Sequence, residues 1–391
     1  MVQNRAGWLA VINIAPLCTG LNFGLPSDLF YVDRHSFAWF HRWTGRIFVF
    51  HSLLHGISAA SRVHLSVVTS PRYLLPILAG VCFILIIPAS WPALQRRHTQ
   101  VALKIHYILG IWGVSALGYH LIERKSQGRW YLLGAICLWV IVSGVTGGFS
   151  LISNRPWTHD RPDIRMSASS GLLWLELKLL PRWKIRPGQY LQLWMPRAGP
   201  RAWIHLPLLY VVICHNDDTH NIVRMVTRPH TGLMQSLYER SRVSSSSFHL
   251  PTTVLGPYGR PVDLLEYGTV VMVVEDIGFF RVLSYIEMLV EASRQRKALV
   301  RKLEILWQDD AVAAYPPWVK KWRQEILKAD FRGFKILQFK IFCGETTSND
   351  DLPTSYREED RLCFYRHSVD IGKEMKCYIR ERRGDMVVAG E

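Results

Sequence analysis

Long apolar runs fill most of the first 150 residues of the chain, and shorter runs follow them. A helix needs about 20 apolar residues to cross the hydrocarbon core of a bilayer. This pattern predicts an α-helical transmembrane domain. Its candidate membrane helices are residues 6–22, 40–60, 71–90, 101–122 and 129–150, of which the first is short and the other four approach spanning length.

The pattern changes after about residue 155, where short runs are punctuated by Pro or Gly. Such runs predict an antiparallel β domain. The predicted strands are residues 172–180, 189–194, 208–214 and 222–227. From about residue 267, strand-like and helical runs alternate, which predicts a parallel sheet. Its strands are placed at 269–274, 301–307 and 335–342, with a helix at 281–291.

These patterns divide the chain into three predicted domains. Residues 1–152 form the transmembrane domain, residues 153–264 the β domain and residues 265–391 the α/β domain. The predicted fold class is therefore a multi-domain membrane protein, in which a helical bundle precedes two domains that contain sheets.

The chain is strongly basic, with a net charge of +16. Basic residues beside membrane helices face anionic lipid headgroups, so the lipid bilayer is the expected partner. The sequence has no zinc-finger spacing and no basic helix with interleaved aromatic residues, so we expect no nucleic-acid binding. Its seven cysteines are scattered without a C-x-x-C motif, which excludes a disulfide framework and a cysteine zinc site.

The polar region after residue 152 is most simply placed in the cytosol. On that assignment Arg96 and Arg97, in a predicted loop at residues 91–100, also lie on the cytosolic side. Arg124 and Lys125 then lie outside, so the positive-inside rule is only partly obeyed. We therefore expect an integral membrane protein with its carboxy-terminal half in the cytosol.

Four histidines within two of the predicted membrane helices are the strongest chemical signal. His41 and His55 lie 14 residues apart, and so do His106 and His120. The rotation over fourteen residues falls about 40° short of four full helical turns, so the two histidines of each helix share one face. One helix separates the two that carry them, so these run parallel. His41 then comes level with His106, and His55 with His120.

Two level imidazole couples within a bilayer predict bis-histidine ligation of two haems. Ionisable groups in membrane spans are costly and usually functional, and imidazole is a common axial ligand of haem iron. Filling both axial positions favours electron transfer over oxygen binding. A bundle that merely contains satisfied polar residues is the alternative interpretation.

Three further residues are candidates for packing against the haems. Gly45 and Gly110 each follow the first histidine of their helix by four residues, and the missing side chain leaves room for a macrocycle. Phe48 lies seven residues from both His41 and His55. We hypothesise that its ring fills the space between the two haems.

The sequence resembles the fungal ferric-chelate reductases of the ferric reductase/NADPH oxidase superfamily. The similar stretches are Arg5-Ala6-Gly7-Trp8, His41-Arg42-Trp43-Thr44-Gly45-Arg46, Pro187-Gly188-Gln189-Tyr190, Gly256-Pro257-Tyr258-Gly259 and Trp307-Gln308-Asp309. The resemblance implies that the β domain is a ferredoxin-reductase-like β-barrel that binds FAD. It also implies that the α/β domain is Rossmann-like and binds NADPH, and that the four histidines hold two haems b.

The activity implied by this resemblance is ferric-chelate reduction at the plasma membrane. Cytosolic NADPH reduces FAD, which passes single electrons through both haems to an external ferric or cupric chelate. Flavin is needed because nicotinamide gives two electrons and haem takes one. The alternatives are a superoxide-generating NADPH oxidase and a degenerate, non-enzymatic haem membrane protein with a defective NADPH site. The sequence identifies no iron-uptake partner.

The flavin contacts implied by the resemblance are Pro207, Leu208, Arg228, Thr231 and Gly232. The family's His-Pro-Phe signature is absent, because the corresponding stretch reads Trp-Ile-His-Leu-Pro-Leu and lacks the Phe. A guanidinium and a hydroxyl group at 228 and 231 suit flavin phosphates. A surface turn is the alternative for this segment.

The NADPH contacts implied by the resemblance are Gly256, Pro257, Gly259 and Gly278. The family has a glycine-rich loop after the strand at 269–274, whereas this chain has Glu-Asp-Ile-Gly there. Two carboxylates repel a pyrophosphate, and their side chains hinder the approach of backbone N–H groups. We therefore expect a weakened NADPH site, and a plain turn is the alternative for Gly278.

Both ends of the chain are shorter than the family pattern. The resemblance implies a further membrane helix before the Arg-x-Gly-Trp stretch and further nicotinamide contacts after residue 391. We therefore expect the α/β domain to be truncated at its carboxy terminus.

Overall fold

A computed structural model describes residues 2–19, 23–61, 71–154, 161–180, 183–199, 202–203, 205–216, 221–229, 232–243, 248–309, 317–343 and 361–390. The chain divides into two compact units, Met1–Ser153 and Asn154–Glu391.

The described part of the first unit is helical. Its helices are α1 (Val2–Ile12), α2 (Gly24–Leu29), α3 (Arg34–Ala60), α4 (Pro71–Ala89), α5 (Pro92–Glu123) and α6 (Gly128–Asn154). Helix α3 begins where the Asp33 carboxylate accepts a hydrogen bond from the Ser36 backbone N–H at 2.9 Å, which satisfies one free donor of the first turn. Helix α4 contains Pro76 and Pro88 and still runs continuously.

Two stretches among the described residues are long and apolar enough to cross a membrane, Val101–Glu123 and Gly128–Asn154. Within an apolar 18-residue segment of each stretch, only 17% of the residues in the first and 6% in the second are buried. Their large apolar side chains therefore face outward, as with Ile111 at 64% and Ile141 at 61% exposure. Helices with apolar residues on their outer surface are typical of membrane spans. The helix Tyr73–Ala89 is apolar and shorter.

Several predicted helix boundaries are wrong, among them the start of the helix predicted at 40–60, which begins at Arg34. The helix predicted at 6–22 ends at Ile12, because Asn13 turns its side-chain amide back to the Leu9 carbonyl at 2.7 Å and Pro16 lies in a separate 3₁₀ turn. The loop predicted at 91–100 is instead the start of α5, which begins at Pro92. Proline is favoured at the first helical position because its missing N–H has no helical partner there.

The second unit begins with an antiparallel sheet. Its strands are β1 (Asp163–Ser169), β2 (Leu172–Leu179), β3 (Tyr190–Trp194), β4 (Leu208–Asn216), β5 (Asn221–Thr227), β6 (Phe248–Pro251) and β7 (Thr253–Tyr258), with helix α7 (Gly232–Val243) between β5 and β6. The strand order is β6-β1-β2-β5-β4-β3-β7. The four strands predicted for the β domain correspond to β2, β3, β4 and β5.

This sheet curls so that its two edges approach each other. Strand β6 pairs with β1 at one edge, and β7 pairs with β3 at the other. A single residue, Thr252, joins β6 to β7. Its backbone N–H donates to the Pro162 carbonyl at 3.1 Å, and its hydroxyl donates to the Trp194 carbonyl at 3.1 Å. The concave side holds a fully apolar core that includes Leu175, Leu191 and Val223.

The remaining residues form a parallel sheet with helices, as the alternating pattern predicted. Its elements are β8 (Thr269–Glu275), α8 (Phe279–Arg294), β9 (Lys302–Gln308), α9 (Pro317–Phe331), β10 (Leu337–Phe342), β11 (Leu362–Tyr365), α10 (Ile371–Glu381) and β12 (Met386–Gly390). The strand order is β11-β10-β9-β8-β12, and every pair is parallel. Phe279 of α8 stacks on Trp307 of β9, with ring centres 3.9 Å apart, which fixes the helix on the sheet.

Candidate functional site

Helices α3 and α5 bring the four predicted histidines together in two pairs. The ring centres of His41 and His106 are 6.1 Å apart, with their planes at 52°. The ring centres of His55 and His120 are 6.3 Å apart, with their planes at 66°. The two pairs are separated along the helices by about 21 Å, the rise of 14 residues.

These pairs fit the axial ligation of a haem iron. Two imidazole nitrogens that each lie about 2 Å from a shared metal ion are about 4 Å apart, which puts their ring centres about 6 Å apart. The Nδ1 atom of His41 is buried and has no hydrogen-bond partner among the described residues. A buried ring nitrogen without a partner is costly in a protein interior, so the burial of this imidazole needs an explanation. Ligation of a metal ion by the same ring would provide one.

Two of the four imidazoles are oriented by partners that the sequence did not reveal. The Nδ1 atom of His55 lies 2.8 Å from the backbone carbonyl oxygen of Gln3. The Nδ1 atom of His106 lies 3.2 Å from the hydroxyl of Ser90. Hydrogen bonds of this kind hold a metal-binding imidazole in one orientation and leave its other nitrogen for the metal.

The three residues predicted to pack against haem lie on the same two helices. A Cβ atom on Gly110 would meet nothing within 4 Å, and one on Gly45 would approach Leu17 alone, at 3.9 Å, so both surfaces are open. Phe48 is buried, and its ring contacts the ring of Phe83 of α4 edge to face with centres 4.6 Å apart. Phe48 therefore packs α3 against α4, and a role between haems stays a prediction.

In the second unit, one cavity brings together a predicted flavin contact and a predicted nicotinamide contact. Its volume is about 420 Å³, and both Leu208 and Gly278 line it. Its walls are the start of β4, the end of β5 and the turn between β8 and α8. The cavity lies beyond the carboxyl end of β8, where parallel sheets commonly bind ligands.

Charged side chains at this cavity already interact with one another. The Arg228 guanidinium donates a hydrogen bond to the Asp276 carboxylate at 2.6 Å. Asp276 itself has a φ of 49°, a left-handed conformation that Asp adopts more readily than most residues. The Arg281 guanidinium lies 3.6 Å from the ring centre of Tyr210, and burial lowers the pKa of Arg281. Sequence reasoning missed both contacts, because they join residues distant along the chain.

The other predicted nicotinamide contacts lie away from this cavity's lining. Gly256 has a φ of 120° and lies against the carbonyl of Tyr190, where a Cβ atom would be 3.2 Å away. Pro257 follows it within β7, and Gly259 has a φ of 93° at the end of the same strand. These residues shape the pairing of β7 with β3. The structure thus brings Gly278 together with Leu208 and not with residues 256–259.

The remaining predicted flavin contacts are dispersed. The carbonyl of Pro207 accepts a hydrogen bond from the Leu193 N–H at 3.1 Å, which ties the start of β4 to β3. Gly232 begins α7 with a φ of 70°. Thr231 lies outside the described residues.

Comparisons with known proteins give one sequence relative and several distant structural likenesses. The chain is 23% identical over 427 residues to the probable cell surface ferric reductase kap2 of Aspergillus oryzae (strain ATCC 42149 / RIB 40). The match covers 96% of this chain and 52% of the relative, so this chain spans about half the relative's length. No protein-family model matches the sequence. The relative supports the resemblance to ferric reductases at the level of the family.

Two solved structures illustrate the structural likenesses. A flavohaemoglobin from Malassezia yamatoensis, with bound FAD and haem, matches with a TM-score of 0.40 and 14% identity, covering 100% of this chain and 97% of its own. The cytochrome b5 reductase domain of Ulva prolifera nitrate reductase matches with a TM-score of 0.38 and 9% identity, covering 60% of this chain and 88% of its own.

Proposed function

We propose that this chain is an oxidoreductase that carries electrons across a membrane. Cytosolic NADPH is the donor, FAD and two bis-histidine haems b are the carriers, and an external ferric or cupric chelate is the acceptor. The observation that carries the proposal is the pairing of four imidazoles at 6.1 and 6.3 Å between two helices. The match to a fungal ferric reductase supports the same class of acceptor.

The residues of α3 and α5 provide two positions for haem at different depths. Haem, when bound, supplies one-electron chemistry that protein side chains lack. His41 and His106 hold one position, and His55 and His120 hold the other. Ligation of haem by two imidazoles would favour electron transfer over oxygen binding.

The outward-facing apolar residues of α5 and α6 support a bilayer as the surroundings of the first unit. We place this unit in the plasma membrane and the second unit in the cytosol, where NADPH is available. The cavity beside Leu208 and Gly278 is the proposed position for the reacting ends of flavin and nicotinamide. Its lining combines apolar side chains with charged ones, among them Glu275, Asp276 and Arg281.

A second candidate function is a haem membrane protein that does not use NADPH. The acidic turn favours it, because the carboxylates of Glu275 and Asp276 line the cavity proposed for nicotinamide and would repel its pyrophosphate. On this view the imidazole pairs keep their haems, and electrons reach them from another donor.

The haem proposal is tested by the absorption spectrum of the purified full-length chain and of four single variants. We expect the spectrum of low-spin six-coordinate haem, and we expect His41→Ala, His55→Ala, His106→Ala and His120→Ala each to abolish one of the two bis-histidine haems. His51→Ala is the matched control, because its ring lies on α3 outside both pairs. Absence of six-coordinate haem, or an undiminished content of it in all four variants, would contradict the proposal.

The donor and the acceptor are tested on the same protein. Addition of NADPH in the presence of FAD is expected to reduce the haems, and a ferric chelate is expected to reoxidise them. No haem reduction, with reduction by dithionite intact, would favour the second candidate function. Production of superoxide without metal reduction would favour an oxidase.

A further inference from the structure

We propose that Gly7 of α1 is a positioning residue for the haem ligand His55. Its bare surface lets the imidazole reach the backbone carbonyl of Gln3, so that α1 forms part of the second haem position. This inference rests on the proposed haem function and adds an element that holds none of the four histidines.

The hydrogen bond between His55 and Gln3 fixes the tautomer of the imidazole. The two atoms, Nδ1 and the carbonyl oxygen, are 2.8 Å apart. A carbonyl oxygen only accepts hydrogen bonds, so Nδ1 carries the proton. The lone pair is therefore left on Nε2, the nitrogen available to a metal ion.

Gly7 lies directly against the same ring. A Cβ atom at this position would be 2.8 Å from Nδ1 of His55 and 3.1 Å from its Cε1. Both distances are shorter than ordinary van der Waals contact, and the atom approached is the one that makes the hydrogen bond. Any side chain at position 7 would therefore displace the imidazole from its partner.

The spacing of Gln3 and Gly7 explains why glycine is needed there. They are four residues apart in α1, one helical turn. Side chains on a helix lean toward its amino terminus, so a residue covers the turn that precedes it. The absent side chain of Gly7 thus uncovers the turn that carries the Gln3 carbonyl.

Small residues hold α1 close to its neighbours in the first unit. Ala6 is 3% exposed and Ala10 is 7% exposed, on either side of Gly7 in the sequence. Small side chains let membrane helices approach closely. Close packing of α1 thus supports the position of the Gln3 carbonyl beside His55.

The two haem positions differ in this support. His55 donates to a backbone carbonyl, which makes an imidazole a stronger electron donor to a metal. In the other position, Nδ1 of His106 faces the Ser90 hydroxyl instead of a backbone carbonyl, and Nδ1 of His41 has no hydrogen-bond partner among the described residues. We therefore expect the two haems to have distinguishable spectra and midpoint potentials, with the difference set in part by α1.

The test compares the full-length protein with Gly7→Ala and Gly56→Ala. Gly56 adjoins His55 in sequence, and a Cβ atom there would meet nothing within 4 Å, so it is the matched control. Haem content per chain, the electron paramagnetic resonance signal of each low-spin haem and its midpoint potential are measured. His41→Ala and His55→Ala assign each signal to one position.

In Gly7→Ala we expect the signal that depends on His55 to be lost or shifted, while the signal that depends on His41 persists and shows that the bundle is folded. Gly56→Ala should keep both signals. Two unchanged signals in Gly7→Ala, or the joint loss of both, would overturn the inference while leaving the haem proposal intact. A wild-type chain without haem would instead overturn the proposed function, and this inference with it.

Discussion

The guanidinium of Arg228 and the carboxylate of Asp276, a residue that lines the cavity in the second unit, form an ion pair at 2.6 Å. Both side chains are partly exposed, at 40% and 32%. The acidic loop was expected to repel a pyrophosphate. The structure adds that it also engages the cation predicted to bind a flavin phosphate.

Removing the carboxylate of Asp276, which is expected to repel a pyrophosphate, should strengthen NADPH binding. We expect Asp276→Asn to tighten the binding of NADPH by up to about fivefold, since one interaction between exposed charges is worth about 1 kcal/mol or less. Asn keeps the size of the side chain and tolerates the left-handed backbone at this residue. Titration of the full-length protein with NADPH, followed by fluorescence, measures the change.

The control for this variant is Glu291→Gln, which removes another carboxylate–arginine pair, the exposed one between Glu291 and Arg294 on a helix surface. It should leave NADPH binding unchanged. Replacing both acidic residues by glycine, Glu275→Gly with Asp276→Gly, should tighten binding further. If neither change at the loop raises affinity, the acidic residues are not the obstacle.

Phe48 should matter for both stability and electron transfer. Because its buried ring packs on Phe83, Phe48→Ala is expected to cost about 3 kcal/mol or more of unfolding free energy. If it also lies between the haems, the rate of electron transfer between them should fall. Phe50→Ala, on the same helix at 64% exposure, is the control. A thermal melt measures the loss of stability, and stopped-flow haem kinetics measure the rate of electron transfer. An unchanged rate in folded Phe48→Ala would contradict the inter-haem hypothesis.

Gly256 is expected to act on folding rather than on the nucleotide. Its φ of 120° is strained for any residue with a Cβ atom, so Gly256→Ala should cost about 1–3 kcal/mol and lower the melting temperature. Gly171→Ala is the comparison, because Gly171 also has a positive φ but nothing within 4 Å of a Cβ atom. The folded fraction of Gly256→Ala should bind NADPH normally. A folded variant that binds NADPH more weakly would instead support a role for Gly256 in the nicotinamide site.

A buried carboxylate gives the second unit a pH dependence of known sign. Glu304 on β9 is 1% exposed, receives a hydrogen bond from the Tyr378 hydroxyl at 3.2 Å and lies 3.6 Å from Lys302. Burial raises the pKa of Glu304 above its usual value despite the nearby cation. Protonated Glu304 is therefore favoured by folding, and its contribution to stability is lost as pH rises from the unfolded pKa through the raised one.

We expect Glu304→Gln to flatten the fall in melting temperature as pH rises above about 4.5, the ordinary pKa of Glu. Glu381→Gln should instead flatten the rise in melting temperature with pH below that value, because a hydrogen bond from Lys302 lowers the pKa of Glu381 and its stabilisation is lost as pH falls through the lowered pKa. Melting curves of the full-length protein at several pH values measure both slopes. Identical slopes in the two variants would contradict this assignment.

The sequence predicts the geometry of a single helix or strand well where its periodicity alone determines that geometry. The spacing of His41 and His55 defines a helix face from 3.6 residues per turn, and the structure brings each imidazole opposite its expected counterpart. Strands β2, β3, β4 and β5 were predicted within two residues at each end. Both results depend on local periodicity, which sequence carries directly.

Contacts between distant residues could not be predicted in this way. His55 and Gln3 are 52 residues apart, and Arg228 and Asp276 are 48 residues apart, so no local pattern reveals either contact. The end of α1 was missed for a different reason. The apolar residues after Ile12 suit both a helix and a turn, and Asn13 with Pro16 decides in favour of the turn.

The link at Thr252 makes the antiparallel sheet intolerant of length changes at one place. Because this residue alone connects the two edges, an inserted or deleted neighbour would shift β7 by one position against β3. Side chains alternate across a strand, so Val254, now fully buried, would turn toward water. Variation in loop length among related chains is thus expected elsewhere in this domain, while the number of residues between positions 251 and 253 stays constant.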